Sequence, residues 1–274
     1  MRRLFLTLVI GLVCALPLAA ATVDGLTIHS ATTGNGPATV IFVHGWTCDS
    51  SSWMSQVPAF AKKYRVVTLD LPGHGRSGSP KDGKLSMDLF ARAVEAVRAE
   101  AQAGRVVLVG HSMGAPVIRQ YARLYPQHVA GLVAVDGPLD LRGFPPPEFT
   151  QPPPMVGAEG LQAREKMVRG MFVPQTPPAL QEHILEMMLG TSEATANGAM
   201  AAVFDPSLSK TDVIQAPALA VYAGTAKLPD PKTAREVLPN YEGTQIPGTG
   251  HFLMMEKPEE FNRVLTSFLD KIGF

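Results

Sequence analysis

Two kinds of pattern alternate along this chain. Short apolar runs rich in β-branched residues occupy Thr39–Val43, Arg65–Leu69, Arg105–Val109, Gly131–Val135 and Ala218–Tyr222, and each reads as a buried strand. Shorter strands are expected at Thr27–Ser30 and Thr244–Ile246. Between them, apolar residues recur at helical spacing. Helices are predicted over Ser52–Lys63, over 86–103 with Phe90, Val94 and Val97 inward, and over 112–125 with Val117, Tyr121 and Leu124 inward. Two more fall near 232–238 and over Pro258–Lys271, the latter with Phe261, Leu265, Phe268 and Leu269 on one face. Uniformly apolar strands are what a sheet covered on both faces requires. Their alternation with helices predicts an α/β fold built on a mostly parallel, doubly wound sheet.

The alternation breaks between 142 and 210. Pro145-Pro146-Pro147 and Pro152-Pro153-Pro154 fit neither a helix interior nor a central strand. Helix-like stretches follow at 158–172 and 178–189, and the region holds Met155, Met167, Met171, Met187, Met188 and Met200. A helical insertion at 142–210 is therefore expected between two core segments, 22–141 and 211–274. Methionine, flexible and polarizable, suits an adaptable apolar pocket.

Residues 1–21 read differently from the rest. Met1-Arg2-Arg3 precedes an apolar run from Leu4 to Leu16, then Pro17 and Ala19-Ala20-Ala21. A charged start, a short apolar stretch and a small-residue end describe a secretory signal peptide, and the run is short for a membrane span. Secretion or delivery to a periplasm is expected, with no stable membrane span after cleavage. Cleavage would remove Cys14 and leave Cys48 alone, so no intramolecular disulfide is expected. Net charge is zero across 274 residues and no basic tract occurs, which argues against nucleic acid as a partner.

The candidate chemistry lies at strand ends. Gly110-His111-Ser112-Met113-Gly114 sits where a predicted strand turns into a predicted helix, and the glycines two before and two after the serine relieve the crowding of so tight a turn. This is the G-x-S-x-G nucleophile elbow. His44-Gly45-Trp46 follows one apolar strand, and Gly248-Thr249-Gly250-His251 follows the last. A serine hydroxyl needs an adjacent base. His251 is the candidate, since it alone of the seven histidines follows a strand inside a Gly-rich turn downstream of an acid. His29, His128 and His183 read as surface or structural residues. No H-E-x-x-H, cysteine cluster or phosphate-binding G-x-x-x-x-G-K is present, and no metal or cofactor is expected.

On these motifs the chain resembles the α/β-hydrolase-fold serine hydrolases, from about Thr27 to the C-terminus except roughly 142–210. Asp70-Leu71-Pro72-Gly73-His74-Gly75-Arg76-Ser77 is similar to a D-x-P-G-x-G-x-S loop of that family, read here as scaffold braced by Asp70 and Arg76. The resemblance implies that the N–H groups of Trp46 and Met113 form an oxyanion hole, that 142–210 is a lid or cap, and that the chain order is Ser112, acid, His251. The family most often places its acid just after the glycine that follows the 218–222 strand. Here those positions hold Ala226 and Lys227. Asp136, at the end of the preceding strand, is the preferred acid because a rigid element holds its backbone. Asp230 is the alternative. An aspartate nucleophile, as in the family's dehalogenases and epoxide hydrolases, is excluded by Ser112.

The expected activity is cleavage of small-molecule carboxylic esters through an acyl-enzyme. A lactonase, thioesterase or cofactor-free perhydrolase would use the same groups. A ligand-binding or sensor protein on a hydrolase scaffold is the reading from another class. Oligomeric state is left open.

Overall fold

The structure, a computed structural model, describes residues 20–143 and 151–274. Most of the expected leader, Cys14 and the first proline run lie outside those residues. The described chain opens with a hairpin of β1 (Thr22–Val23) and β2 (Leu26–Thr27). Its loop, Asp24-Gly25, has φ of 49° and 77°, positive at both positions as a type I′ turn requires and as an Asp-Gly pair favours. β3 (Ser30–Thr33) follows. The strand expected at Thr27–Ser30 is thus divided between the hairpin and β3, and Asp24-Gly25 was the signal for that division.

β4 (Thr39–Val43) is entirely buried. The single helix expected over Ser52–Lys63 is two pieces. A 3₁₀ turn at Ser50–Trp53, capped by Asp49, precedes α1 (Gln56–Phe60). Pro58 has no N–H to return to the Met54 carbonyl and its ring would clash there, so no continuous helix passes through. β5 (Arg65–Leu69) leads to α2 (Met87–Glu100), whose cap Ser86 accepts from the Leu89 N–H at 3.1 Å. Next come β6 (Val106–His111), α3 (Gly114–Leu124) and β7 (Val129–Val135). Leu124, expected inside, is the last residue of α3 and 42% exposed; Val117, Ile118, Tyr121 and Ala122 carry the buried face instead.

Three helices occupy the region before the next strand: α4 (Gly157–Arg169), α5 (Pro178–Gly190) and α6 (Glu193–Val203). The sequence pattern anticipates the first two only. α6 is Ala-rich and buries Ala196, Ala199 and Ala202, with the Ser192 hydroxyl accepting from the Thr195 N–H as its cap. β8 (Ala218–Ala223), α7 (Pro231–Arg235), β9 (Tyr241–Ile246), α8 (Leu253–Glu256) and α9 (Pro258–Lys271) complete the chain.

The main sheet has seven strands in the order β3-β5-β4-β6-β7-β8-β9. β3 runs antiparallel to β5 and every other neighbouring pair is parallel. Right-handed crossovers put α1 on one face and α2 and α3 on the other, and the packing agrees: α2 lies on α3, α1 on α9. Because β4 to β9 all point one way, the residues that follow them collect along one edge. His44, Asp70, Ser112, Asp136, Gly224 and Gly248 all lie there, where ligands bind in open α/β sheets.

Candidate active site

The elbow is a product of close packing. Ser112 has φ 52°, a left-handed conformation that costs a non-glycine residue roughly 1–2 kcal/mol. A Cβ on Gly110 would lie 2.3 Å from the Gly114 carbonyl oxygen, and one on Gly114 would lie 2.5 Å from that of Val43. Only glycine fits at either place. The Ser112 N–H donates to the Val135 carbonyl at 2.8 Å, so the end of β7 supports the elbow. Gly137 lets that end pass close by, since a Cβ there would lie 2.4 Å from the Ser112 carbonyl oxygen.

Asp136 is the next residue of the same wall. It too has a positive φ, 46°. Its N–H donates to the Val221 carbonyl at 2.8 Å, and its Oδ1 accepts from the Ala223 N–H at 2.8 Å. That leaves Oδ2 for His251, whose Nδ1 lies 2.6 Å away. Burial works against the Asp136 charge, but the hydrogen bond and charge of His251 and the Ala223 N–H outweigh it and hold the carboxyl below its usual range. With Nδ1–H donated to Asp136, Nε2 is the nitrogen free to act as a base. Ser112 and His251 line one chamber. Among the described residues the Ser112 hydroxyl makes no hydrogen bond.

Asp230 goes elsewhere. It caps α7, accepting from the Lys232 N–H at 2.9 Å, and it is exposed on a neighbouring groove, lined also by Lys227, that shares Asp136, Gly137 and Pro138 with the chamber. The loop after β8, where the family resemblance would place the acid, is closed by Gln245, whose Nε2 donates to the carbonyls of Ala223 and Ala226. Of the two carboxylates considered, the structure brings Asp136 to the histidine.

Trp46 and Met113 also line the chamber and are buried, 6% and 3% exposed. Among the described residues neither backbone N–H has an acceptor. Both N–H groups are thus available to an oxygen atom of a bound molecule, that of Met113 as one of the free donors at the start of α3. His44 braces this loop. Its Nδ1–H donates to the Gly45 carbonyl at 2.8 Å and its Nε2 accepts from the Leu71 N–H at 2.9 Å. The Trp46 indole N–H donates to the Ala196 carbonyl on α6 at 2.8 Å. Thr47, the following residue, has φ 54°. Two of the five described non-glycine residues with positive φ, Ser112 and Asp136, line the chamber, and a third, Thr47, lies between Trp46 and Cys48, which also line it. Such strain concentrates where geometry is over-determined.

His111, the variable residue of the elbow, has a part that the sequence does not announce. Its Nε2–H donates to the His251 carbonyl at 2.9 Å. Burial, then the neighbouring His251 charge, lowers its pKa to about 3. It is a neutral donor. His74 does not line the chamber. It bonds the Pro72 carbonyl, and burial above all, with the His44 imidazole close by, brings its pKa to about 3. The Asp70 loop is braced as expected, with Asp70 accepting from the N–H groups of Ser50 and Arg76. His29 pairs with Asp70 and His128 with Glu95.

The chamber measures about 180 Å³. Met167, Met171, Met188 and Met200 line it from the insert, facing Pro116 and Phe252 of the core. Met155 and Met187 do not. The first is buried elsewhere, and the sulfur of the second lies 3.5 Å from the hydroxyls of Ser51 and Ser52. Cys48 is buried in the same wall, and burial pushes its thiol up to about 12.

Residues 40–264 match the alpha/beta hydrolase family, and the chain belongs to it. Among its relatives is the dihydrolipoyllysine-residue acetyltransferase component of the acetoin cleaving system of Pseudomonas putida. The two are 30% identical over 257 residues, 87% of this chain and 65% of that one, so this chain spans under two thirds of that relative's length. A 2-hydroxy-6-oxononadienedioate/2-hydroxy-6-oxononatrienedioate hydrolase of Burkholderia vietnamiensis is 30% identical, with 89% of this chain and 91% of the relative covered. Among solved structures, an N-acyl homoserine lactone degrading enzyme superposes with a TM-score of 0.73 at 25% identity, covering 90% of this chain and 99% of that one.

Proposed function

We propose that the protein is a serine hydrolase that cleaves carboxylic esters through an acyl-enzyme. One observation carries the reading: Asp136 holds His251 at 2.6 Å, and both line one chamber together with Ser112, Trp46 and Met113. Ser112 Oγ attacks the ester carbonyl while His251 Nε2 takes its proton. The N–H groups of Trp46 and Met113 hold the oxyanion of the tetrahedral intermediate. His251 then returns the proton to the departing alcohol. A water activated by the same nitrogen hydrolyses the acyl-Ser112 ester, and the proton passes back to Ser112.

The substrate class follows from the chamber. An engineered apolar cavity of about 150 Å³ is known to hold benzene, so the space of about 180 Å³ here suits an aryl or short branched acyl group. Its methionine walls favour uncharged esters. Cyclic esters need the same machinery, and the likeness to a lactone-degrading enzyme supports including them. On this reading α4 to α6 form a cap over the acyl group, and the apolar leader at 1–21 directs the enzyme to a secreted or periplasmic location. The test is multiple turnover of p-nitrophenyl acetate and benzoate. The wild type should hydrolyse both and Ser112→Ala neither. Absence of turnover, or an active Ser112→Ala protein, would overturn the proposal.

A further inference from the structure

His251 is held at more points than its ring. Its N–H donates to the Met171 carbonyl at 3.0 Å, and its own carbonyl accepts from His111. The residue before it is held as well: the Gly250 N–H donates to Glu256 Oε2 at 2.6 Å. The other oxygen of that carboxylate accepts from Thr176 Oγ1 at 3.2 Å, while Thr176 Oγ1 itself accepts from the Val173 N–H at 3.0 Å. Glu256 ends α8 in the core. Thr176, only 2% exposed, belongs to the segment between α4 and α5. One carboxylate therefore joins the loop that carries the base to the segment that follows Met171, a wall of the acyl chamber. The approach is tight. A Cβ on Gly250 would lie 2.5 Å from the Met171 carbonyl oxygen and 3.1 Å from Glu256 Oε1.

We propose that Glu256 is a positioning residue for the base, and that through it the acyl chamber and His251 are set in register. The inference rests on the serine hydrolase reading. Asp136 fixes the rotation of the imidazole ring, but the distance from that ring to Ser112 depends on where the backbone of 250–251 sits. Glu256 and Met171 fix that backbone. A carboxylate is suited to the task, because hydrogen bonds to a charged acceptor are roughly twice as strong as neutral ones. Glu256 does not line the chamber and touches no reacting atom. Its effect passes through Gly250 and Thr176. An acyl group that fills the chamber presses on Met171, and the strap transmits that pressure to the base.

The test uses the full-length protein carrying Glu256→Ala, Glu256→Asp, Glu256→Gln or Thr176→Val. Active sites are counted by exhaustive labelling with a serine-directed phosphonate, and kcat and KM are measured on p-nitrophenyl acetate and benzoate. Misplacing a catalytic group by an ångström costs about 10²-fold, and a loss of about that size in kcat per labelled site is expected for Glu256→Ala and Glu256→Asp. Glu256→Gln keeps the acceptor for Gly250 and gains a donor for Thr176, so it should restore most of the loss. Thr176→Val cuts only the insert arm and should raise KM for benzoate more than for acetate. Should Glu256→Ala fail to fold, the contrast between Asp and Gln at 256 decides the matter. Wild-type kcat per labelled site in both disruptive variants, with only a lower Tm, would make Glu256 a structural brace and overturn the inference. A wild type that turns over no ester would overturn the serine hydrolase reading and this inference with it; indifferent Glu256 variants of an active enzyme overturn this inference alone.

Discussion

The edge of the sheet and the insert above it build opposite halves of one chamber by opposite means. On the sheet side, Ser112 and Asp136 sit directly on the ends of β6 and β7, both in left-handed conformations, and each is bonded through its N–H to the carbonyl of the neighbouring strand. The strands beneath them are fully buried in their last residues. On the insert side the wall is Val203 and four methionines from the 167–200 region, whose side chains make no hydrogen bond to Ser112, His251 or Asp136; the one link is through the backbone, where the Met171 carbonyl accepts from the His251 N–H. The insert is tied to the core by hydrogen bonds that include Trp46 to the Ala196 carbonyl, Thr191 to the Thr47 carbonyl, Thr195 to the Gly73 carbonyl and Thr176 to Glu256. The difference teaches a division of labour. On the proposed reading, groups that must sit within a fraction of an ångström are placed on rigid strand ends, whereas the surface that would accept an acyl group is made from the most adaptable side chain.

Changes on the sheet side should therefore cost most in rate. Ser112→Ala removes the nucleophile and should lower kcat by about 10⁶-fold. Asp136→Asn leaves a hydrogen-bonding side chain but loses the carboxylate that fixes the imidazole tautomer, and should cost about 10⁴-fold in kcat. Asp230→Asn, at a helix cap on the other groove, should leave kcat close to wild type. The reverse pattern would transfer the acid to Asp230 and break the account of the rigid edge. On the insert side the effect should be one of fit. Met200→Ala should lengthen the preferred acyl group, with each newly buried CH₂ adding up to about 0.8 kcal/mol of binding and little change on the acetate. An equal loss on acetate and longer esters would show that the insert also positions the chemistry.

A smaller effect concerns stability. His74 and His111 are buried in the core with pKa values of about 3, against 6.5 for an exposed histidine, burial being the main cause. Below pH 6.5 the unfolded chain takes up protons that these two rings refuse in the folded state, so their contribution is complete above pH 6.5 and is lost as pH falls toward 3. The urea midpoint should fall between pH 7.5 and pH 4.5, and a flat midpoint over that range would contradict the neutral, buried assignment.

Much of the sheet side was readable in the sequence, and the reason is local. The glycines around Ser112 and the apolar run ahead of Asp136 are near neighbours in the chain, so their physical meaning lies within a few residues. The same holds for the cap at Ser86 and for Pro258, which opens α9. Other signals are local but weaker: Asp24-Gly25 as a hairpin turn, Pro58 as a helix break, and Ser192 ahead of an Ala-rich helix with no bulky apolar stripe. The choice between Asp136 and Asp230 could not be closed from the chain, since both lie between Ser112 and His251. Three-dimensional placement separates them. The bonds of His251 to His111 and Met171 join residues far apart in sequence, and nothing near any of the three in the chain points to the others.

The central claim is that Ser112 becomes covalently acylated with His251 and Asp136 behind it. Mass spectrometry of the protein after exposure to a serine-directed phosphonate tests it most directly, comparing wild type with Ser112→Ala and Asp136→Asn. The account predicts one adduct per chain, mapped to Ser112, absent from Ser112→Ala and formed far more slowly in Asp136→Asn. An adduct on another residue, or undiminished labelling of Asp136→Asn, would contradict it.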